Sequence, residues 1–253
     1  KDEETAGYIR DIQANFKEDL ERVAGRSEIP LSISSGTGVR LVRSRETGIG
    51  DFCADAYRAV SGADIAVLNG GGIRADLPAG EITCGDLIGV QPFGNTLCVA
   101  RVSGQDILDA LETANRAVQE EYSDGGNAVG ENGGFLQVSG IAFTVDTSIA
   151  STVEMDEKEM FVSCTDKRRV KDVMVLQEDG SYAPLDPQQT YTVASQDYLI
   201  KKGGDGLNMF MDKPLVVDEG MADYEILETY IRENLGGVIG REYEKPQGRI
   251  IVQ

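Results

Sequence analysis

The run Asn69-Gly70-Gly71-Gly72-Ile73-Arg74 follows directly on the apolar stretch Asp64-Ile-Ala-Val-Leu68. Three consecutive glycines let a backbone turn tightly and come close to a ligand. The Arg74 guanidinium is a planar fork suited to phosphate or carboxylate. The spacing matches neither a Walker loop nor a G-x-G-x-x-G turn, so a plain tight turn with a surface arginine is the competing reading. Arg43-Ser44-Arg45-Glu46 puts two arginines on one side of an extended segment, because alternate residues of a strand share a face. Clustered cations in an acidic chain suggest an anion site; the alternative is a solvated strand edge with Glu46 as partner. In Gln91-Pro92-Phe93-Gly94-Asn95 an aromatic ring sits on a rigid loop, either facing a ligand or closing the core. Asp197-Tyr198-Leu199 and Gly203-Gly204-Asp205-Gly206 offer a second loop ring and a carboxylate framed by glycines. That carboxylate can accept two hydrogen bonds from a sugar diol, or it is a simple Asp-Gly turn. The ligand spacing of an EF-hand is missing.

Other chemistry is excluded by composition. The 253 residues contain no histidine, which rules out His-ligated zinc, a Ser-His-Asp triad and a Cys-His pair on this chain. With 24 Lys+Arg against 43 Asp+Glu, the formal net charge is −19, so a passive basic footprint on a nucleic-acid polymer or an anionic lipid is not expected. The four cysteines, Cys53, Cys84, Cys98 and Cys164, show no C-x-x-C spacing. They read as buried free thiols, although the sequence alone allows three pairings. The longest charge-free apolar-leaning stretch, Leu87 to Ala100, is well short of the roughly 20 apolar residues a membrane span needs. The chain opens on Lys1 rather than Met, as a mature form or an excised piece would.

These loops need a scaffold. Ile9, Ile12, Phe16, Leu20 and Val23 recur at helical spacing, predicting an amphipathic helix over residues 1–25 with Gly25 as its stop. Asp64 to Leu68 reads as a buried strand. Thr83-x-x-Asp86 and Ser103-x-x-Asp106 have capping-box spacing with Asp standing in for Glu, and Ile107, Leu108, Leu111 and Val118 mark a helix after the second. Glu120 to Gly134 is a polar, glycine-rich loop of the length that tends to be mobile or functional. Further on the period changes to two: Ile141, Phe143 and Val145 alternate, as do Val173 and Val175, with a turn at Glu178 to Ser181. Tyr191 to Ala194 and Arg249 to Val252 read as strands and Ala222 to Asn234 as a helix. Without a regular βαβ alternation, the expected class is α+β with a mixed sheet core and flanking helices.

Taken in order, Arg43-x-Arg45-Glu, Asn69-Gly-Gly-Gly-Ile-Arg74, Pro92-Phe-Gly-Asn95, Gly134-Phe-Leu-Gln-Val-Ser-Gly140 and Gly203-Gly-Asp-Gly206 resemble the C-terminal domain of the 5′-nucleotidase/UDP-sugar hydrolase family, over nearly the whole chain. The resemblance implies a division at about residue 28. Residues 1–28 would be a linker helix toward a missing N-terminal metallophosphoesterase domain holding two divalent metals, and residues 29–253 a nucleotide-binding domain. By the resemblance, Arg43, Asn69 and Arg74 face the phosphate and ribose, Phe93 and Tyr198 sandwich the base, and Asp205 binds the ribose, with Arg45 and Gly71 also expected among the substrate-binding residues. No catalytic and no metal-binding residue is expected on this chain, which would be inactive alone within a metal-dependent enzyme that hydrolyses nucleoside 5′-phosphates. Partners would be nucleotides, nucleosides and the catalytic domain, at the cell surface, in the periplasm or outside the cell. Hydrolysis of UDP-sugars, 2′,3′-cyclic nucleotides or 3′-nucleotides is the enzymatic alternative, and a stand-alone nucleotide-binding module the non-enzymatic one. Two features depart from the family pattern: the second ring is Tyr198 where Phe is usual, and one extra residue lies between it and Gly203.

Overall fold

A computed structural model describes residues 16–253. At its centre is a five-stranded sheet in the order Leu215–Val217, Leu97–Ser103, Thr190–Gln196, Ile65–Asn69 and Leu136–Ser139. Only the pair Thr190–Gln196 and Ile65–Asn69 runs parallel, with Val193 opposite Ile65; the other pairs are antiparallel. The sheet is therefore mixed, and with helices on both faces the fold is α+β.

The sheet separates two hydrophobic cores by simple alternation. Ile65, Val67, Cys98, Ala100, Val102 and Val193 point into one core, with Ile107, Ala110, Leu111 and Ala114 of the helix Gly104–Ala114. Ala66, Leu68, Leu97, Val99 and Ala194 point into the other, with Ile49, Phe52, Cys53, Ala56 and Tyr57 of the helix Gly48–Ser61. This is why the Asp64–Leu68 run is almost uniformly apolar: a strand buried on both faces cannot alternate.

Helix ends follow the sequence. Thr83 and Ser103 each form a capping box with Asp86 and Asp106, starting the helices Cys84–Val90 and Gly104–Ala114. A four-stranded sheet in the order Tyr182–Pro184, Val170–Leu176, Ile141–Val145 and Ile250–Val252 extends the first core, the last strand running parallel to its neighbour. The helix expected over Ala222 to Asn234 is present as a short α-helix, Asp223–Thr229, that widens to π geometry over Tyr230–Asn234. The four cysteines are free; Cys53, Cys84 and Cys98 are buried, and Cys164 is half-buried.

The N-terminal expectation needs correction. Residues 1–15 lie outside the described residues, and the helical stretch that follows ends at Glu21. Val23–Ser27 is a strand, paired antiparallel with Gly80–Thr83 and parallel with Val238–Ile239. The periodic pattern is overridden there because two partners remote in sequence satisfy the backbone groups. Gly25 is not a helix stop: a Cβ on it would collide with Ile231 and press on the Gly237 carbonyl. Residues 23–27 are thus strand and not helix.

Candidate functional site

The parallel strands Ile65–Asn69 and Thr190–Gln196 end side by side, and their last residues open a cavity of about 420 Å³. Ligand crevices form at the carboxyl ends of parallel strands because the chain must leave the sheet there through loops. Arg43, Asn69, Gly71, Gly72, Phe93, Asn95, Gly133, Gln196, Tyr198 and Asp205 line it.

Each glycine of the first turn is required by a close approach. A Cβ on Gly70 would collide with the Val42 carbonyl. One on Gly71 would press on Gly133 at 3.0 Å, and one on Gly72 would lie 2.7 Å from Asn69 Oδ1. The Gly70 and Gly71 N–H groups donate to the carbonyls of Phe135 and Gly133, both at 2.7 Å, so the turn is stitched to the end of the polar loop. Opposite stands the Gly-Gly-Asp-Gly turn. Gly203 has φ +61°, Asp205 φ +57° and Gly206 φ +87°, left-handed conformations that glycine makes accessible and Asp tolerates. The Tyr198 ring lies against Gly204, where any side chain would strike it.

Asp205 is held by Asn69, whose Nδ2 donates to Oδ2 at 2.7 Å. Burial pushes the Asp205 carboxyl up, while the Asn69 bond and the charges of Arg116 and Arg43 pull it back. Arg43 is half-buried and ion-paired with Glu131 at 3.3 Å; Arg40 pairs with the same carboxylate. Burial, then the neighbouring Arg40, lowers the Arg43 guanidinium, which as an arginine stays charged. Phe93 is 60% exposed on its loop, and Arg74 lies over its ring, 5.9 Å from the centre.

The structure therefore brings Arg43, Asn69, Gly71, Phe93, Tyr198 and Asp205 around one cavity, with Arg74 at its edge beside Phe93. Arg45 does not join them. Leu41–Arg43 is a 3₁₀ turn, and the Arg45 N–H returns to the Leu41 carbonyl at 2.7 Å, so the two arginines share no strand face. The Arg45 guanidinium is spent on the carbonyls of Ser44, Gln119 and Glu120, each at 2.6 Å, and lies over Tyr122. It clamps the base of the polar loop.

Sequence reasoning missed Gln196, Glu131 and Arg116. Gln196 could have been found from its place as the last residue of a strand, two positions before Tyr198. Nothing local marks the other two, which reach the site by folding. Beneath the cavity, Asp223 accepts from the Tyr57 hydroxyl, from Asn95 Nδ2 at 3.2 Å and from Gln196 Nε2 at 3.5 Å. Burial raises this carboxyl to about 6. The arrangement offers cations at one edge, two aromatic surfaces and a carboxylate. Among the described residues no group of three or more His, Cys, Asp or Glu is placed to hold a metal, and no helix is long and apolar enough to cross a membrane.

A family model, 5′-nucleotidase, C-terminal domain, matches residues 23–212. The trifunctional nucleotide phosphoesterase protein YfkN of Bacillus subtilis is 33% identical over 239 residues, covering 93% of this chain and 14% of that protein. A 5′-nucleotidase of Vibrio cholerae is 29% identical over 216 residues, covering 83% of this chain and 32% of its own. Among solved structures, a 5′-nucleotidase precursor from Thermus thermophilus superposes with a TM-score of 0.73 at 30% identity, over 96% of this chain and 42% of that one. The chain thus spans less than half the length of each of these proteins.

Proposed function

Because the chain belongs to the family of 5′-nucleotidase C-terminal domains, we propose that it is the substrate-binding part of a metal-dependent enzyme that hydrolyses nucleoside 5′-phosphates. The observation that carries this reading is the cavity where Phe93, Tyr198, Asp205 and Arg43 meet, with Arg74 at its edge. The base stacks between Phe93 and Tyr198. Stacking contributes about 1–3 kcal/mol per base and accepts any nucleobase, so the slot gives affinity with breadth. Asp205 offers Oδ1 to the ribose while Oδ2 is held by Asn69. Arg43 and Arg74 take the phosphate, where charged hydrogen bonds are worth about 1.5–3 kcal/mol each. Glu131 neutralises Arg43 meanwhile and must yield it when phosphate arrives.

The described side chains do not suit a metal. By the family reading, two divalent metals would be held by a partner catalytic domain, where they would activate the attacking water. This chain positions the nucleotide for that domain. The same reading puts the whole protein at the cell surface, in the periplasm or outside the cell, with no role for a nucleic-acid polymer. The test is an assay of the purified chain with AMP and Mn²⁺: AMP binds and no phosphate is released. Phosphate release dependent on the metal would overturn the division of labour.

A further inference from the structure

Behind the cavity one carboxylate stands between two arginines. Arg40 and Arg43 both ion-pair with Glu131, Arg43 at 3.3 Å. Arg40 directly precedes the 3₁₀ turn Leu41–Arg43, and three residues per turn bring Arg43 back to the same side. Of these three residues only Arg43 lines the cavity. A ligand therefore touches Arg43 and meets Arg40 and Glu131 only through it.

Glu131 is aimed by the loop that carries it. The next residue, Asn132, donates its N–H to the Arg43 carbonyl and its Nδ2 to the Ala114 carbonyl, both at 2.9 Å. At the other end Arg45 holds the carbonyls of Gln119 and Glu120. The polar loop is thus pinned on both sides of Glu131. The Arg43 and Glu131 side chains are 19% and 23% exposed against 40% for Arg40, so solvent screens the inner pair less than a fully exposed one.

The charges here do not balance. Burial, then the charge of Arg40, opposes the Arg43 cation; Glu131 supports it, and Arg74 again opposes it. Glu131 Oε1 is buried and accepts no aligned hydrogen bond among the described residues, so charge is what holds it between the two guanidinium groups. A phosphate does better at Arg43, because two of its oxygens can take two parallel N–H donors.

Resting on the nucleotide-binding reading above, we propose that Arg40 is a positioning residue for phosphate recognition: it takes over the Glu131 carboxylate when the phosphate of a bound nucleotide takes Arg43. Glu131 shields Arg43 in the empty site and in the nucleoside complex. Arg40 sets how much of that shielding a phosphate must displace. The pair thereby fixes how strongly the site prefers a nucleotide to its nucleoside, and neither member touches the ligand.

The experiment is calorimetric titration of the chain with AMP and with adenosine, read as the ratio of the two affinities. It uses the unaltered protein, Glu131→Gln, Arg40→Gln and the double variant, with melting temperatures as the check on folding. Glu131→Gln raises the preference for AMP at least about threefold, because Arg43 loses its internal counter-ion. Arg40→Gln lowers it at least about threefold, because Glu131 is left with Arg43 alone. In the double variant the ratio returns to that of Glu131→Gln, since Arg40 then has no carboxylate to hold. A pair that only stabilised the fold would move both ligands alike. A ratio unmoved by either single substitution, or lowered by Glu131→Gln, overturns the hand-over. So does a double variant whose ratio falls well below that of Glu131→Gln, which would put Arg40 on the phosphate itself. Each of these outcomes leaves the nucleotide site standing. Failure of the unaltered chain to bind both AMP and adenosine overturns the nucleotide reading and this inference with it.

Discussion

The guanidinium carbon of Arg74 lies 5.9 Å from the centre of the Phe93 ring, so the cation at the edge of the cavity also steadies the exposed ring beside it. A cation over an aromatic face at a solvent-exposed site is worth about 0.5–1 kcal/mol, less than the charged contacts Arg74 offers a phosphate. The two roles can be told apart by ligand. Arg74→Gln weakens AMP binding by about 1.5–3 kcal/mol and adenosine binding by well under about 1 kcal/mol. Equal losses for the two ligands would remove Arg74 from the phosphate end.

Phe93→Ala and Tyr198→Ala each weaken adenosine by about 1–3 kcal/mol. They differ in stability. Phe93 is 60% exposed, so its removal leaves the melting temperature unchanged. Tyr198 is half-buried against the first core and Gly204, so its removal lowers it. Titration and thermal melting of the same two preparations check both statements, and unchanged adenosine binding in both variants would end the sandwich assignment.

Stability depends on pH through carboxyls whose ionisation burial opposes. Asp51, fully buried beside Glu46, is raised from 3.8 to about 8 chiefly by desolvation, with Arg249 pulling the other way. Asp223 is raised to about 6, again by burial. A raised acid keeps its proton in the folded state while the unfolded chain has released it. The unfolded state thus binds fewer protons, and stability falls as pH rises from the ordinary carboxylate range through the raised values. The thermal midpoint therefore drops between about pH 6 and 8 and levels above. Asp51→Asn, which cannot ionise, flattens that interval. A midpoint that rises across the interval, or a slope unchanged in Asp51→Asn, would contradict this.

Local features are legible in the sequence and long-range pairings are not. Thr83 with Asp86 and Ser103 with Asp106 cap their helices because a capping box is complete within four residues. Asp64 to Leu68 is readable as a strand because burial on two faces leaves an unbroken apolar run. Val23–Ser27 is not, because what makes it a strand lies at Gly80–Thr83 and Val238–Ile239. An extended segment would set Arg43 and Arg45 side by side; a 3₁₀ turn sends one to the cavity and the other to the polar loop. Gln196 carries no motif, and its one mark is its place at the end of a strand, two positions before Tyr198. Its meaning depends on Asp223, which approaches it from a distant helix.

The central claim is that this chain alone holds a nucleotide in the cavity between Phe93, Tyr198, Asp205 and Arg43, without a metal of its own. Calorimetric titration of AMP into the purified chain with a chelator present, alongside the Phe93→Ala variant, tests it directly. Binding is expected in the micromolar-to-millimolar range, roughly −8 to −4 kcal/mol, undiminished by the chelator and weakened at least several-fold by the substitution. No binding, binding that appears only with added Mn²⁺, or binding indifferent to loss of the Phe93 ring would contradict it.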